Sequence, residues 1–298
     1  MAKDLPADLV AQILVWLPVV SLLRCKCVSK SWYTLITHQS FIRKHLLHNN
    51  NNNSSSETLL LLNLFNKTTQ DFVLSTLSYE TLQLSPTQPA HPSGFGNIKK
   101  GNICFVGSCN GLVCLHTMSL YEFEVVIWNP ATRETKVVPK SNLPRLPPYW
   151  YQTIIDSIEF GFDAKTNDYK IINLLTPYDE EVNSFDETCE RIIESEVYSL
   201  SADSWRKGDR SLCCTGELYI GGLNTYINGM ASWELSVRGW EGVLSFEMSD
   251  EVFLKTPVPD DVLNDRWSHF FLLKESIAMA VTITVEGCSV LEFSKLFK

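Results

Sequence analysis

Residues 126–139 read VIWNPATRETKVVP. The opening segment Val126–Trp128 is β-branched and aromatic, which favours an extended strand. Asn129-Pro130 is a turn-forming pair, and the chain then returns through the β-favouring segment Thr135–Val138. The stretch therefore predicts two antiparallel strands that are joined by a polar turn and closed by a proline.

The same strand–turn–strand unit recurs along most of the chain. It is present as VLSTLSYETLQLSP (residues 73–86), VYSLSADSWRK (197–207) and LSFEMSDEVFLKTPVP (244–259). The four units start 53, 71 and 47 residues apart. A period near 50 residues is typical of β-propeller blades of the kelch size. A β-sandwich is the alternative fold, because it too consists of many short strands.

Two sets of residues within this β segment are predicted to have structural rather than catalytic or ligand-binding roles. The tryptophans are predicted to be core aromatics of the blades rather than ligand-stacking groups: Trp128, Trp205 and Trp233. A second set is predicted to form a turn between strands rather than a catalytic acid–base group: Asp163, Asp168 and Lys170.

Residues 4–47 have a helical pattern instead. Leu9, Ile13 and Leu17 recur at helical spacing, and Pro18 ends the first helix because proline disfavours α geometry in the residue before it. A short second helix and a third helix follow, the third carrying Val28 and Trp32 on one face. Three helices this short cannot bury all their apolar side chains between themselves. Some of those side chains must contact either the next domain of the chain or another protein.

A polar tract, HNNNNNSSSET, occupies residues 48–58. It supplies no core residues, so it is predicted to be a flexible linker or a frayed helix end. The chain is accordingly divided into a helical domain at residues 1–47, a linker at 48–58 and a β domain at 59–298.

The helical domain resembles a plant F-box over about residues 4–46. The likeness is carried by LPADL (residues 5–9), ILVWLP (13–18), SLLR (21–24) and CVSKSW (27–32). The chain departs from the common F-box pattern at Gln12, Trp16 and Cys25, where the family usually has Glu, Arg and Phe. None of these three changes removes the pattern.

The β domain resembles the plant F-box-associated domain over about residues 58–262. The matching motifs are GSCNGLVC (107–114), WNPAT (128–132), FGFD (160–163), DYK (168–170), VYSL (197–200), SWR (204–206), YING (226–229) and LSFE (244–247). The likeness fades after Asp265, and related chains usually run longer. We therefore expect a shortened member whose later strands are absent and whose propeller closes imperfectly.

These resemblances imply an α+β multidomain protein, with a small three-helix F-box followed by an all-β domain. In the family, the F-box binds a Skp-type adaptor that leads to a cullin and a RING subunit, and the β domain selects the protein to be ubiquitylated. The chain would then be a non-catalytic substrate receptor. The resemblance assigns adaptor binding to Leu5, Pro6, Ile13, Leu14, Leu17, Pro18, Leu22, Leu23, Val28 and Trp32.

Other functions remain open at the level of sequence. A ligase-independent module that binds proteins or glycans would use the same β domain. A narrower possibility is an S-locus F-box protein that recognises a ribonuclease in pollen self-incompatibility, because CVSKSWY (residues 27–33) is similar to that subgroup. A copper-type propeller oxidase is disfavoured, since only six histidines are present and four of them precede residue 92.

Charge is unevenly distributed along the chain. The net charge is −9, of which residues 1–48 contribute +4 and the remaining residues −13. A basic head favours an acidic partner protein, whereas too few basic residues are present to indicate nucleic acid. The densest acidic stretch, residues 179–196, is predicted to be a loop that either binds a basic substrate or is simply solvated. Its candidate substrate-binding residues are Asp179, Glu180, Glu181, Asp186 and Glu187.

The nine cysteines are predicted to be small buried hydrophobic residues. Their odd number argues against a disulfide framework, and their spacings do not form the paired halves of a zinc site. We therefore expect no metal, no cofactor and no structural disulfide. The sequence has neither a signal-peptide pattern nor an apolar run long enough to span a membrane, so the cytoplasm or the nucleus is the expected location.

Overall fold

The computed structural model describes most of the chain. The described ranges are residues 6–51, 59–68, 71–78, 81–84, 103–117, 124–143, 152–178, 190–208, 211–215, 218–237, 240–258, 268–273, 276–285 and 288–295. The chain forms two compact units. The first comprises residues 1–104 and 110–137, and the second comprises residues 105–109 and 138–298.

The amino-terminal part of the first unit is helical. Its helices are α1 (Ala7–Leu14), α2 (Val19–Cys25), α3 (Lys30–Thr37) and α4 (Gln39–Asn51). Pro6 and Pro18 stand directly before α1 and α2, and Ser29 caps α3 by accepting a hydrogen bond from the Trp32 backbone N–H at 3.2 Å. The core of these helices consists of Val10, Leu14, Val15, Leu22, Ile36 and Phe41.

The predicted three helices are corrected to four within the part of the chain that the structure describes. The chain breaks at His38, whose backbone is extended with ψ at 135°. The imidazole Nδ1 of His38 accepts the backbone N–H of Ser40 at 3.3 Å, and so satisfies one of the N–H groups that lack an intrahelical acceptor at the start of α4. Neither proline nor glycine marks this break in the sequence. Helix α4 also continues to Asn51, four residues beyond the boundary predicted at residue 47.

Eighteen strands follow within the described residues. They are β1 (Leu59–Asn66), β2 (Asp71–Ser78), β3 (Ile103–Cys109), β4 (Leu112–Thr117), β5 (Val125–Trp128), β6 (Thr135–Val138), β7 (Gln152–Asp163), β8 (Asp168–Tyr178), β9 (Glu190–Ser199), β10 (Ser204–Lys207), β11 (Leu212–Thr215), β12 (Leu218–Ile227), β13 (Met230–Val237), β14 (Trp240–Glu247), β15 (Val252–Pro257), β16 (Ser268–Leu273), β17 (Ser276–Val285) and β18 (Cys288–Lys295).

The strands form five sheets that follow one another along the chain. Sheet I pairs β1 with β2, sheet II has the order β3-β4-β5-β6, and sheet III has the order β7-β8-β9-β10 with β11 also paired to β9. Sheet IV has the order β12-β13-β14-β15, and sheet V has the order β16-β17-β18. Strands adjacent in sequence pair within each sheet, so every sheet is built from local hairpins, as in a propeller blade.

The predicted repeat is confirmed by this order. The units at residues 126–139, 197–207 and 244–259 are the last two main strands of sheets II, III and IV, namely β5–β6, β9–β10 and β14–β15. The unit at residues 73–86 begins in β2 and returns to it through a bridge between Leu77 and Leu84. The expectation that strands are absent after Asp265 is wrong, because β16, β17 and β18 all lie beyond that residue.

In the second unit the sheets pack face to face, with their first strands side by side. β7 lies beside β12, and β12 lies beside β16. Sheets III and IV share a core that consists of Ile172, Leu174, Ile193, Val197, Ala231, Trp233, Leu235, Leu244, Phe246 and Met248. Sheets IV and V share a second core: Leu223, Val243, Val258, Phe270, Ile277 and Met279. Consecutive sheets that touch through their first strands match propeller blades rather than the two facing sheets of a sandwich.

The predicted core tryptophans have two different environments. Trp128 and Trp233 are fully buried, the former with Leu74 and Leu115 in the first unit, so the prediction is confirmed for these two. Trp205 is only half-buried, and its indole N–H donates a hydrogen bond to the Pro139 carbonyl at 2.6 Å. It therefore fixes the chain after β6 instead of filling a core.

Gly161 of β7 in sheet III lies against Tyr226 and Met248 of sheet IV. A Cβ atom at this position would overlap the Tyr226 ring and lie 2.9 Å from the Cε atom of Met248. We expect Gly161→Ala to lower the free energy of unfolding by about 1–3 kcal/mol, because the ring must move and weaken the 2.8 Å hydrogen bond from the Tyr226 hydroxyl to the Phe162 carbonyl. Urea unfolding measures this loss. Gly107→Ala is the matched control, since its added Cβ would meet its nearest atom at 3.6 Å. Equal stability of the two variants would contradict the prediction.

Candidate functional site

The helical module exposes many large apolar side chains. The opposite sides of the same helices form the core of the module. On α1, for example, Val10 and Leu14 are buried while Leu9 and Ile13 are exposed. The exposed large apolar residues of the module are Leu9, Ile13, Trp16, Val20, Val28, Tyr33, Ile42 and Leu47. Exposed apolar residues concentrated on so small a module make its surface a candidate interaction site.

Leu9, Ile13 and Val20 are the residues of this set on the first two helices, and we call them the α1–α2 face. Leu9 and Ile13 lie one turn apart on α1, with 45% and 57% of their surface exposed, and Val20 of α2 is 52% exposed. Residues four apart on a helix project from the same side. Pro6 and Pro18, just before the two helices, are exposed as well.

The turn between α1 and α2 is held by α4. The His45 ring is buried, and its Nε2 forms a 2.9 Å hydrogen bond with the Leu17 carbonyl. The Trp16 ring contacts the His48 ring edge to face, with centroids 4.1 Å apart. Helix α4 therefore contacts the turn that joins α1 to α2, the two helices that carry the exposed face. The sequence pattern did not single out His45, because a lone histidine on a helix has no distinctive spacing.

The ten residues predicted to bind an adaptor occupy three kinds of position. Leu14 and Leu22 lie in the core of the helical module, with 2% and 5% of their surface exposed. Leu17, Leu23 and Trp32 are half-buried, whereas Pro6, Ile13, Pro18 and Val28 are exposed. Val28 lies in the turn before α3 rather than on a face of that helix. Leu5 lies outside the described residues. A direct surface contact is thus available to the exposed members, while Leu14 and Leu22 support the fold beneath them.

Leu9 and Val20 are exposed on the first two helices but are not among the ten residues predicted to bind an adaptor. The spacing of Leu9 and Ile13 was visible in the sequence, but the pattern could not tell which apolar residues of α1 turn inward. That choice depends on where α4 and its residue Phe41 pack.

In the β domain, an ionic cluster links sheets III and IV. The Lys170 ammonium lies 2.7 Å from the Asp163 carboxylate and 2.8 Å from the Glu251 carboxylate, and it donates to the Met248 carbonyl at 2.8 Å. Arg206 forms a further ion pair with Glu251. Asp163 and Lys170 are both buried.

The carboxylates keep both buried groups charged. Burial alone would lower the pKa of Lys170, but its hydrogen bonds to Asp163 and Glu251 raise that pKa above its usual value. Burial would raise the pKa of Asp163, but hydrogen bonds from Lys170 and Thr166 hold it well below its usual range. A lysine held charged in this way is not available as a general base at neutral pH.

Asp163 and Asp168 also organise local turns. Asp163 accepts the backbone N–H groups of Lys165 and Thr166 at 2.8 and 3.2 Å, and it faces Asp168 across the β7–β8 hairpin. Asp168 accepts the Ser199 hydroxyl at 2.5 Å and the Ser201 backbone N–H at 2.9 Å. The interpretation of these two residues as turn residues is confirmed. Lys170 has a further role, because it joins Asp163 of sheet III to Glu251 and Met248 of sheet IV.

The five candidate substrate-binding acids, Asp179, Glu180, Glu181, Asp186 and Glu187, lie outside the described residues. Among the residues that are described, no group of three or more His, Cys, Asp or Glu side chains could hold a metal ion. None of the described helices is long and apolar enough to cross a membrane.

A helical module with an uncovered apolar face, followed by consecutive blade-like sheets, defines a two-part binding protein. Comparison with family models agrees with both parts. Residues 3–44 match the F-box domain, and residues 62–279 match the F-box associated beta propeller domain. The chain belongs to the family of F-box proteins that carry an F-box-associated β-propeller domain. The match to residue 279 also corrects the expectation that the family likeness ends near Asp265.

Curated relatives from Arabidopsis thaliana are also named as F-box proteins. An F-box/kelch-repeat protein is 27% identical over 260 residues, which cover 86% of this chain and 66% of the relative. An F-box protein is 27% identical over 266 residues, covering 85% of this chain and 57% of that relative. The chain thus spans about two thirds or less of the length of these relatives. The specific S-locus assignment stays a prediction.

Solved structures give a weaker likeness. The β-propeller domain of the Trilobed protease from Pyrococcus furiosus has a TM-score of 0.34 and 7% sequence identity, over 80% of this chain and 79% of that one.

Glu159 of β7 is a fully buried acid, and it gives stability a dependence on pH. Burial raises its pKa from 4.5 to about 8, and the nearby backbone of Phe160 lowers it only partly. Since the unfolded chain releases this proton near pH 4.5 and the folded chain retains it until about pH 8, the folded state loses relative stability as pH rises between these values.

We compare the free energy of unfolding of Glu159→Gln with that of the wild type. We expect this difference to shift in favour of the variant by a few kcal/mol between pH 4.5 and pH 8. Urea unfolding across this pH range measures the difference. Glu134→Gln, at an exposed acid in the turn before β6, is the control for a general charge effect. If the stability difference between Glu159→Gln and the wild type does not change with pH, Glu159 is ionised normally in the folded protein.

Proposed function

We propose that this protein is the substrate-recognition subunit of an SCF-type cullin–RING ubiquitin ligase. Its F-box would bind a Skp-type adaptor, and its β domain would bind the protein that is to be degraded. The observation that carries the proposal is the exposed α1–α2 face on a module that belongs to the F-box family. An apolar face of this kind would be buried in the complex.

The chemistry of the helical module supports a protein partner. Leu9, Ile13 and Val20 offer apolar contacts that a partner could desolvate, and such contacts dominate interface affinity when they are central and well packed. The net positive charge of residues 1–48 favours an acidic partner and faster association.

The proposed role requires no reaction at the protein itself. Holding a substrate on the β domain while the F-box is attached to the ligase raises the effective concentration of substrate lysines near the ubiquitin-carrying enzyme. A non-catalytic subunit of this kind would act in the cytoplasm or the nucleus, where the ligase components meet their substrates.

The acidic residues at 179–187 are proposed as one element of substrate selection. In the sequence they lie between the end of β8 and the start of β9, and segments that connect the strands of a rigid scaffold often carry binding residues. A basic substrate surface is the complementary partner. The competing interpretation is a solvated insertion that only increases solubility.

Adaptor binding can be tested without disturbing the helical core. We expect the double variant Ile13→Asp/Val20→Asp to lose binding to the Skp-type adaptor by at least about tenfold, because two charges would enter an apolar interface. Titration calorimetry with the purified adaptor measures the Kd. Val137→Asp, at an exposed apolar residue of β6, is the matched control and should bind normally.

Leu14→Asp is unsuitable for this purpose, since Leu14 belongs to the core and its replacement would unfold the module. Circular dichroism must show that the double variant keeps its helices. A folded double variant with the wild-type Kd would remove the α1–α2 face from the proposed interface.

Substrate selection by the acidic loop has a separate test. Asp179, Glu180, Glu181, Asp186 and Glu187 are replaced together by their amides. Substrate ubiquitylation by the reconstituted ligase should slow at low salt and change less at high salt, because screening already weakens the wild-type attraction there. Adaptor binding should be unchanged. Equal ubiquitylation rates at low salt would assign the loop to the solvated-insertion interpretation.

A further inference from the structure

A cavity of about 230 Å³ lies in the second unit between sheets IV and V. Its floor is formed by buried side chains of β12, β13, β14 and β17, and the exposed residues Asn228 and Leu254 stand at its mouth. The lining residues are Thr225, Ile227, Asn228, Met230, Ser232, Ser245, Leu254, Thr256, Ser276 and Ile277.

Hydroxyl groups follow a straight line across the floor. Thr225 is opposite Ser232, and Ser232 is opposite Ser245, in the register of three neighbouring strands. The hydroxyls of Ser232 and Ser245 are 2.8 Å apart and bonded to each other. In such a pair, one serine donates and the other accepts, so the accepting serine keeps a free O–H and both keep free lone pairs. Thr256 and Ser276 add two more hydroxyls at the side.

The described residues that line the cavity include no Asp, Glu, Lys, Arg or His. A carboxylate, phosphate or ammonium group inside it would lose hydration without gaining an opposite charge, at a large cost. A fully apolar ligand is equally unsuitable, since it would cover the hydroxyls without bonding them. A ligand that suits this cavity is therefore neutral and polar. It also has an apolar side that can contact Ile227, Met230, Leu254 and Ile277.

The strand pairing at the cavity floor also favours a small ligand over an added peptide strand. The main-chain groups of β13 are paired with β12 on one side and with β14 on the other, so the cavity floor has no open edge to which a peptide could add. Recognition must come from side-chain hydroxyls on the face of the sheet. The volume is slightly below the usual range for drug-sized ligands and fits one small ring with its hydroxyls.

We propose that this cavity binds a neutral, hydroxylated ring of the size of one sugar unit. Ligand hydroxyls would exchange donors and acceptors with Thr225, Ser232 and Ser245, and the C–H side of the ring would contact Met230 and Leu254. The inference goes beyond the ligase function, because it requires neither the adaptor nor the F-box face. The same chemistry could be offered by a free sugar or by a sugar attached to a protein substrate.

The experiment titrates the purified full-length chain, without adaptor, with methyl glycosides of glucose, galactose and mannose and with N-acetylglucosamine. Glucuronate and glucosamine are the charged comparisons. Saturation-transfer NMR and calorimetry measure binding. For a neutral ligand of about a dozen non-hydrogen atoms, we expect a millimolar Kd, with the charged analogues at least about tenfold weaker. A glycopeptide that carries the preferred sugar, and the same peptide without it, distinguish an attached sugar from a free one.

Two variants test the location. Ser232→Ala/Ser245→Ala should weaken binding by about tenfold, the effect of losing one or two hydrogen bonds. Thr256→Val removes a hydroxyl from β15 with little change in volume, and a smaller loss is expected, so it serves if the double variant does not fold. Ser204→Ala, at an exposed serine of β10, is the control.

Failure of every neutral sugar to give saturable binding at millimolar concentration would overturn the proposal, and so would equal binding by charged analogues or by a folded pocket variant. Because no adaptor is present, this outcome leaves the ligase proposal untouched. Loss of adaptor binding in the F-box variants would likewise leave the cavity unaffected.

Discussion

The ammonium group of Lys170 is shared between two carboxylates and one main-chain carbonyl that come from neighbouring sheets. Asp163 belongs to sheet III, whereas Met248 and Glu251 lie in or beside the β14–β15 turn of sheet IV. Glu251 adopts a positive φ of 54°, which is uncommon for a residue other than glycine. The backbone at that turn is thus placed so that the carboxylate reaches Lys170. Because a buried ion that loses its partner costs roughly 3–5 kcal/mol, this cluster fixes the two sheets against each other.

The contact between sheets III and IV leaves the other face of sheet IV for a different purpose. Alternation along β13 sends Ala231 and Trp233 into the core with sheet III, while Met230 and Ser232 line the cavity on the opposite side. A strand that is buried on one face by apolar packing can carry polar residues on the other. The blade arrangement therefore combines a rigid contact on one side of sheet IV with a small polar cavity on the other.

In the helical module, chemically similar apolar residues lie in opposite environments. Leu14 and Leu22 resemble Ile13 and Val20 in chemistry, but the first two are buried and the last two are exposed. The sequence pattern correctly indicated more apolar surface than three short helices could bury. The pattern could not show which of these residues are buried, because that depends on how α4 packs. Helix α4 begins after a break at His38 that neither a proline nor a glycine marks in the sequence. A contact such as that of His45 with Leu17 joins residues 28 apart and has no local sequence signal.

The sequence by itself determined the division into a helical head and a repeated β domain, the family, and the strand–turn–strand units near residues 126, 197 and 244. These features depend on local periodicity and turn chemistry, which act over a few neighbouring residues. Only the tertiary structure decided that Lys170 joins two sheets, that Trp205 bonds a carbonyl outside a core, and that Ser232 and Ser245 line a cavity. Each of these depends on residues that are distant in sequence, and a one-residue change in strand register would reverse which face they occupy.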